Sequence, residues 1–283
     1  PTGKAQGRGI FLVSKLQQLK KWSTASQKAP GEESPFLEPY IISRYINDPL
    51  LVGGKKFDMR LYVLVTNYRP LKVYLYKAGF CRFCVEQYSD DVAEIDNIFV
   101  HLTNVAIQKH AEDYNEHHGG KWAILDLMLF IEGTHGKAAS DKLAADMEAV
   151  IVHSLKAVQG CMINDKHCFE MYGFDILIDQ SLKPWLLEVN ASPSLSTTTE
   201  DDRLLKLRLI NDTLNIAQQV KLNPSDGSDS PDPTYMGDFV CIFDEIVQRQ
   251  RDEQRASTAA GWRGSAGRRS TGNLSSGKSG FWR

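Results

Sequence analysis

The segments "FDILID" (Phe174–Asp179) and "KPWLLEV" (Lys183–Val189) lie three residues apart and constrain the chain more tightly than any other feature. Both are short, rich in branched aliphatic residues and bounded by polar ones, the pattern of two strands joined by a tight turn. With the turn centred between Ser181 and Leu182, Asp175 falls opposite Glu188. Opposed residues of an antiparallel pair project from one face with Cβ atoms about 5 Å apart, and Asn190, two residues on, shares that face. Two like charges so placed are destabilising unless something positive sits between them. Three hard oxygen donors, with room for water and phosphate, suit Mg2+ better than zinc. The same pattern also describes polar residues on a solvated sheet face, and a slip of one residue would separate the carboxylates.

A second charged strand lies upstream. "KKFDMRLYVLV" alternates Lys56, Asp58 and Arg60 with Phe57, Met59 and Leu61, giving one ionic and one apolar face. Such an ionic face can hold a nucleotide's phosphates and ribose, or simply face solvent. "GKAQGRGI" sets Gly3, Gly7 and Gly9 beside Lys4 and Arg8. Glycines let backbone N–H groups approach phosphate oxygens and the cations add charge, yet the spacing is neither a Walker A loop nor a dinucleotide fingerprint. The turn can equally be only a turn. Cys81 and Cys84 form a CxxC with no second pair or histidine at finger spacing, so a packed strand is expected rather than zinc or redox chemistry. His117 and His118 sit in a polar stretch and read as solvated. No Ser–His–Asp arrangement can be read from the order of residues.

Residues 1–14 read as a glycine-rich turn feeding a short buried strand, and residues 24–39 as a mobile loop. "YIISRYI" and "KFDMRLYVLVTNYRPLKVYLYKAGFCRFC" read as strands with a turn at Asn67–Pro70, and residues 86–98 and 110–121 as polar loops. The 3.6-residue period predicts a helix over Asp141–Val158, capped by Ser140 or Asp141. A second helix starts near Asp201, with Thr199 as cap and Asp202 three residues after it. "NPSDGSDSPDP" is a linker, residues 239–256 a short helix with Phe239, Ile242, Phe243 and Ile246 on one face, and the last 27 residues a disordered tail. No internal repeat is evident.

With 283 residues, 42% hydrophobic and 24% charged, the composition is that of a soluble globular protein. No apolar run approaches the roughly 20 residues that span a bilayer, and no secretory signal opens the chain. Five cysteines make a reducing compartment the expectation. A net charge of −2 gives no pointer to nucleic acid, but from Arg249 to Arg283 eight basic residues face only Asp252 and Glu253. The sequence begins at Pro1, without a Met and within a loop motif, as a piece of a longer protein would.

Taken in order, "PTGKAQGRGIFL", "SRYINDPLLVGGKKFDMRLYVLV", "YKAGFCRF", "FVHLTNVAIQKH", "GGKW", "GFDILID" and "PWLLEVNASPSL" resemble the tubulin tyrosine ligase-like family of the ATP-grasp fold. The likeness runs from residue 1 to about 217 and is greatest to the polyglutamylase branch, including members associated with cilia or flagella. The resemblance implies an α+β fold of antiparallel sheets with flanking helices. Residues 1–45 would end the central ATP-grasp subdomain, 46–220 would form the C-terminal one, and 221–283 would be linker, short helix and basic tail.

It also implies chemistry. Such ligases use ATP to phosphorylate a glutamate side chain of a tubulin tail, and the amine of free glutamate then attacks the acyl-phosphate. The need is for charge neutralisation at a developing anion more than for an acid–base pair. By resemblance, Asp175, Glu188 and Asn190 are the Mg2+ ligands, and Lys56 and Arg60 the catalytic cations, Arg60 beside the transferred phosphate. Gln6, Gly7, Ser43, Arg44, Tyr45, Ile46, Lys56, Phe57, Asp58, Thr103 and Asn104 fall at ATP-site positions, with Ser43 where the family more usually has Gln. Arg82, Lys121 and Lys206 match cations that receive the carboxylates of incoming glutamate. The family's ATP-binding Lys just before the position of Pro1, and an N-terminal domain before it, lie outside this sequence. A tubulin glycylase, a tyrosine ligase, or a non-catalytic module docking its basic tail on acidic tubulin tails are the alternatives. The expected setting is the cytoplasm and cytoskeleton, at a basal body or axoneme, with no nucleic acid or membrane partner.

Overall fold

The computed structural model describes residues 1, 3–25, 39–115, 120–165, 168–222 and 236–264. Helix α1 (Leu16–Ala25) follows the glycine-rich turn. Strand β1 (Leu51–Val52) turns through Gly53 and Gly54, both at positive φ, into the fourteen-residue strand β2 (Lys55–Tyr68). Strands β3 (Leu71–Tyr76) and β4 (Phe80–Phe83) follow, then the one-turn helices α2 (Ile98–His101) and α3 (Val105–Gln108) and strand β5 (Lys121–Ala123). Helices α4 (Ile124–His135) and α5 (Lys137–Val158) precede strands β6 (Glu170–Ile178) and β7 (Pro184–Asn190) and helix α6 (Glu200–Leu222). Strand β8 (Phe239–Asp244) and helix α7 (Glu245–Gly264) are the last described elements.

Among the described residues, eight strands form one antiparallel sheet around β2. One edge of β2 is shared, with β4 pairing to residues 57–60 and β3 to residues 63–68. Strand β5 continues outward from β4, and β8 from β3. The opposite edge carries β1 and β6, with β7 outside β6. The period of two along β2 decides the layers. Phe57, Met59, Leu61, Val63 and Val65 face α4 and α5 and close a core with Leu127, Ile131, Leu143, Met147, Ile151 and Leu155. Each such side chain contributes about 1.5–3 kcal/mol when fully removed from water. Tyr62 and Leu64 face the other way, against Phe80, Phe239 and α6 residues Leu209 and Ile216. Towards the start of β2 that second face carries Lys56, Asp58 and Arg60 instead.

Several expectations fail for local reasons. Residues 10–13 and 40–46 form no strand, and Ile10, Phe11, Ile41 and Ile42 are exposed. An apolar run becomes a strand only where another strand offers a ladder for its backbone groups, and none among the described residues does. Helix α5 begins at Lys137, before Asp141, because Gly136 at φ 86 ends α4, its N–H donating to the Glu132 carbonyl, and releases the next helix at once. Residues 239–244 are a strand rather than the start of a helix, since β3 offers them an edge. Asp244 then accepts from the N–H groups of Ile246 (3.0 Å) and Val247 (3.2 Å) and starts α7, which runs to Gly264, past the expected onset of disorder. Thr199 caps α6 as expected, its hydroxyl accepting from the Asp202 N–H at 3.3 Å. Residues 26–38 of the expected loop, His117, His118, the "NPSDGSDSPDP" linker and the tail beyond 264 lie outside the described residues.

Candidate active site

Strand register assembles the site. Asp58 opposes Arg82 across β2 and β4, and Arg82 opposes Lys121 across β4 and β5. Arg60 opposes Asp175 across β2 and β6, and Asp175 opposes Glu188 across β6 and β7. Asp58 and Arg60 are two residues apart on β2, so all six side chains belong to one face. The expected Asp175–Glu188 opposition is present, but by a different route. The turn is centred on Ser181, half a residue earlier, pairing Ile178 with Pro184 and Ile176 with Leu186, and an extra residue at Leu187 restores Asp175 to Glu188. Such a bulge sets two residues against one and re-aims the side chains beyond it. Asp179 fixes the early turn: Oδ1 accepts from Ser181 N (2.9 Å), Ser181 Oγ (2.6 Å) and Lys183 N (3.0 Å), and Oδ2 from Trp185 Nε1 (2.8 Å).

The opposed residues form an alternating ionic row. Arg82 donates through Nε to Asp58 Oδ1 at 2.8 Å and through Nη2 to Asp58 Oδ2 and, at 2.8 Å, Asp175 Oδ2. Arg60 grips Asp175 through Nε and Nη2, the latter 3.0 Å from Oδ2. All four residues are buried, so every charge needs its partner. Gly173 makes room for the row, because a Cβ there would stand 3.1 Å from Arg60 Cδ and 2.9 Å from Pro193 Cβ. Burial works against charge on Arg82, but Asp58 and Asp175 outweigh it and keep the guanidinium firmly protonated. Burial alone would raise the Asp175 carboxyl. The hydrogen bond from Arg60 and the charges of Arg82 and Arg60 prevail and hold it below the usual carboxylate range.

Glu188 differs. Burial pushes its carboxyl up and adjacent Asp175 adds to the push, while Asn190 and Arg60 oppose it. Asn190 donates its amide nitrogen to Glu188 Oε1 at 3.1 Å and to the Gly173 carbonyl at 3.4 Å, so its oxygen is what it can offer a cation. Two carboxylates and an amide oxygen are a hard donor set that fits Mg2+. Among the described residues no three His, Cys, Asp or Glu side chains converge as a metal-binding group, so the set depends on Asn190.

At the β5 end, Asp202 at the start of α6 gathers two lysines. Its Oδ2 accepts from Lys121 Nζ and Lys206 Nζ, both at 3.0 Å, and from Thr198 N at 3.1 Å. Both ammonium groups stand over the Phe80 ring, 4.7 and 6.0 Å from its centroid. Burial pulls the Lys121 pKa down against Asp202. Asp202 was read from sequence only as a cap residue, although its i,i+4 spacing to Lys206 on one helix is a legible pairing signal.

At the start of β2, buried Lys56 donates to the Tyr45 hydroxyl at 3.0 Å and to the His101 carbonyl at 2.8 Å. Both acceptors are neutral, and burial pulls the Lys56 ammonium's pKa down, so an anion brought to it gains what its own neighbours do not supply. Gly7, at φ 78, packs against α3: a Cβ there would stand 2.7 Å from Asn104 Oδ1 and 2.6 Å from Ile107 Cδ1. The glycine turn with Gln6 thereby meets the Thr103–Asn104 corner. Ser43 and Arg44 stay exposed, ahead of half-buried Tyr45 and Ile46. The Phe57 ring lies on the core face, 5.2 Å from that of Phe83, because alternation turns it away from Lys56 and Asp58. Only its backbone belongs to this side. Cys81 and Cys84 are buried, with thiols pushed up by burial, Cys84 to about 12; they pack a strand, as expected.

The model for the tubulin-tyrosine ligase family matches residues 1–226. The chain belongs to that family. Its α+β architecture, helices flanking an antiparallel sheet, is that of the family's ATP-grasp fold. Similar proteins include a probable alpha-tubulin polyglutamylase of Tetrahymena thermophila, 50% identical over 253 residues, covering 88% of this chain and 61% of the relative. A probable tubulin polyglutamylase of Caenorhabditis elegans is 47% identical over 216 residues, 76% of this chain and 50% of the relative. One of Rattus norvegicus is 41% identical over 242 residues, 76% and 52%. The chain thus spans between half and two thirds of the length of these relatives. No helix among the described residues is long and apolar enough to cross a membrane.

Proposed function

We propose that this chain is part of an ATP-dependent ligase that adds glutamate to glutamate side chains in the C-terminal tails of tubulin. The observation that carries the reading is the single sheet face on which Lys56, Asp58, Arg60, Arg82, Lys121, Asp175 and Glu188 converge; the names of the relatives give the substrate class. Lys56 faces the nucleotide with neutral partners of its own, so its charge is available to phosphate. Arg60, held by Asp175 at rest, is next to the phosphoryl position and stabilises the negative charge that develops as the acyl-phosphate forms and breaks down. Asp175, Glu188 and Asn190 would hold Mg2+, which supplies charge neutralisation at the phosphates when bound. Gln6 and Gly7 cover the phosphates, Thr103 and Asn104 line them, and residues 43–46 with the backbone of Phe57 border the adenine.

Lys121 and Lys206 receive the carboxylates of incoming glutamate, with Asp202 fixing their separation, and Arg82 closes the same pocket. A dicarboxylate suits this pair of cations better than glycine or tyrosine would. Residues 1–45 would complete a central subdomain contributed largely by the rest of the protein, and 46–220 the C-terminal one. Cytoplasmic, microtubule-associated placement follows from that substrate, with cilia or flagella as the specific setting.

The test is incorporation of labelled glutamate into microtubules by the full-length protein with ATP and Mg2+, read by mass spectrometry of the tubulin tails. Glu188→Gln should abolish transfer, and glycine and tyrosine should compete poorly. Undiminished transfer by Glu188→Gln would sink the metal assignment, and preferred incorporation of glycine or tyrosine would defeat the choice of glutamate.

A further inference from the structure

His101 reaches no position expected to touch substrate, yet it is buried beside Lys56. Its Nε2 lies 3.0 Å from the Glu94 carbonyl oxygen. A carbonyl only accepts, so Nε2 carries the proton and Nδ1 of the neutral ring holds a lone pair. Nδ1 is 2.8 Å from the Tyr45 hydroxyl, which therefore donates to it. The Tyr45 oxygen is left to accept from Lys56 Nζ at 3.0 Å, while the His101 carbonyl takes a second Lys56 proton at 2.8 Å. The chain of bonds has one direction throughout: Lys56 to Tyr45 to His101 to the Glu94 carbonyl. The Tyr45 ring supports the ammonium from below, 4.5 Å from its centroid, and the Tyr88 ring meets the imidazole edge-on at 6.1 Å, with its own hydroxyl anchored 2.9 Å from the Asn47 carbonyl. Burial, which pulls the His101 pKa below its ordinary value, favours the neutral ring that this direction requires.

We propose that His101 and Tyr45 are positioning residues that hold Lys56 with two of its three N–H bonds committed and the third presented to the nucleotide's phosphates. This rests on the reading of Lys56 as a phosphate contact. The Tyr45 hydroxyl therefore acts through Lys56, while its ring stays with the segment that borders the adenine, and His101 acts through Tyr45. An ammonium on a flexible four-carbon stem loses little of its charge but much of its aim when such a chain is cut.

The experiment measures binding of a non-hydrolysable ATP analogue with Mg2+ to the full-length protein by calorimetry, alongside steady-state kinetics and thermal unfolding. Lys56→Ala tests the underlying reading: unchanged affinity there would remove Lys56 from the nucleotide site. With that variant weakened, Tyr45→Phe, which keeps the ring and removes the hydroxyl, should raise Kd about tenfold, the scale of one hydrogen bond to a charged group. His101→Phe should do the same. The double variant should be no worse than either single one, because both cut one chain. His101→Asn, whose amide oxygen can stand where Nδ1 stood, should restore affinity to within about twofold. KM for ATP should rise in the Phe variants while KM for glutamate stays put. Additive losses, or wild-type affinity in Tyr45→Phe and His101→Phe while Lys56→Ala is impaired, would overturn the proposal. So would an His101→Asn protein of unchanged thermal stability that binds as poorly as His101→Phe.

Discussion

Asp175 holds two guanidinium groups with one carboxylate and still faces Glu188 across the strand pair. That is stable only while the row stays complete, since removing one member of a buried ionic set leaves the others desolvated and unpaired. Arg82 is the member with most to lose, because it alone joins Asp58 to Asp175. Arg82→Leu should therefore cost about 3–5 kcal/mol in denaturant unfolding at pH 7. The pH dependence has a fixed sign. The folded Asp175 carboxyl lies below its ordinary value, so its contribution is present above about pH 4 and is lost as pH falls through the folded pKa. Without Arg82 that loss should begin at higher pH. A cost under about 1 kcal/mol would mean the row is not a unit. At this scale much was legible. Lys56, Asp58 and Arg60 share a face because strands have a period of two, and Asp175 meets Glu188 because hairpins are local. The role of His101 was not legible, because its partner Lys56 lies 45 residues away, and of Asp202 only the i,i+4 pairing with Lys206 could be read, since Lys121 lies 81 residues from it.

Elements were readable where one period dominated and a local signal marked the ends. Strand β2 and helix α5 qualify, although Gly136 moved the start of α5. Helix α4, "ILDLMLFIEGTH", is apolar on most sides and shows no clean period. Strand β8 misled because Phe239, Ile242, Phe243 and Ile246 fit a helical stripe, and only the open edge of β3 decides otherwise. The β6–β7 hairpin was right in its essential pairing and wrong in its turn, since nothing in the spacing announces that Asp179 captures three donors with one oxygen and a fourth with the other. That capture is testable. Asp179→Ala strips the turn of its acceptors and frees the Trp185 indole, so the hairpin should loosen, with a loss of about 2 kcal/mol and a shift in Trp185 fluorescence. Ser181→Ala, which touches only one of these bonds, should do much less. Equal effects of the two would show that the turn is held by something other than Asp179.

Across the whole molecule, the family match stops at residue 226 while the sheet does not. Strand β8 returns along β3 from Tyr76–Phe239 to Lys72–Asp244 and closes the edge that β3 would otherwise expose. Its arrival is fixed at both ends. Asp212 of α6 accepts from the Asp238 N–H at 3.1 Å and the Tyr76 hydroxyl at 3.3 Å. Glu245, just beyond β8, accepts from the Leu71 N–H at 2.7 Å and from Gln159 at 3.0 Å. Phe239 is buried against Tyr76, ring centroids 4.7 Å apart. The last segment is thus part of the same sheet, although its sequence reads as an appendage. Every residue of β3 is buried and all but Lys72 are hydrophobic, and a largely apolar strand left unpaired at an edge invites association with other chains. Removing residues 223–283 should therefore lower the unfolding temperature by several degrees and promote aggregation, read by differential scanning fluorimetry and light scattering. Ending the chain at residue 250 keeps β8, Glu245 and the first turn of α7, and should leave both readings near those of the whole chain. If the two truncations behaved alike, β8 would be an ornament on the sheet. If only the shorter one failed, the folding unit would extend beyond the boundary that family resemblance sets, to at least Glu245.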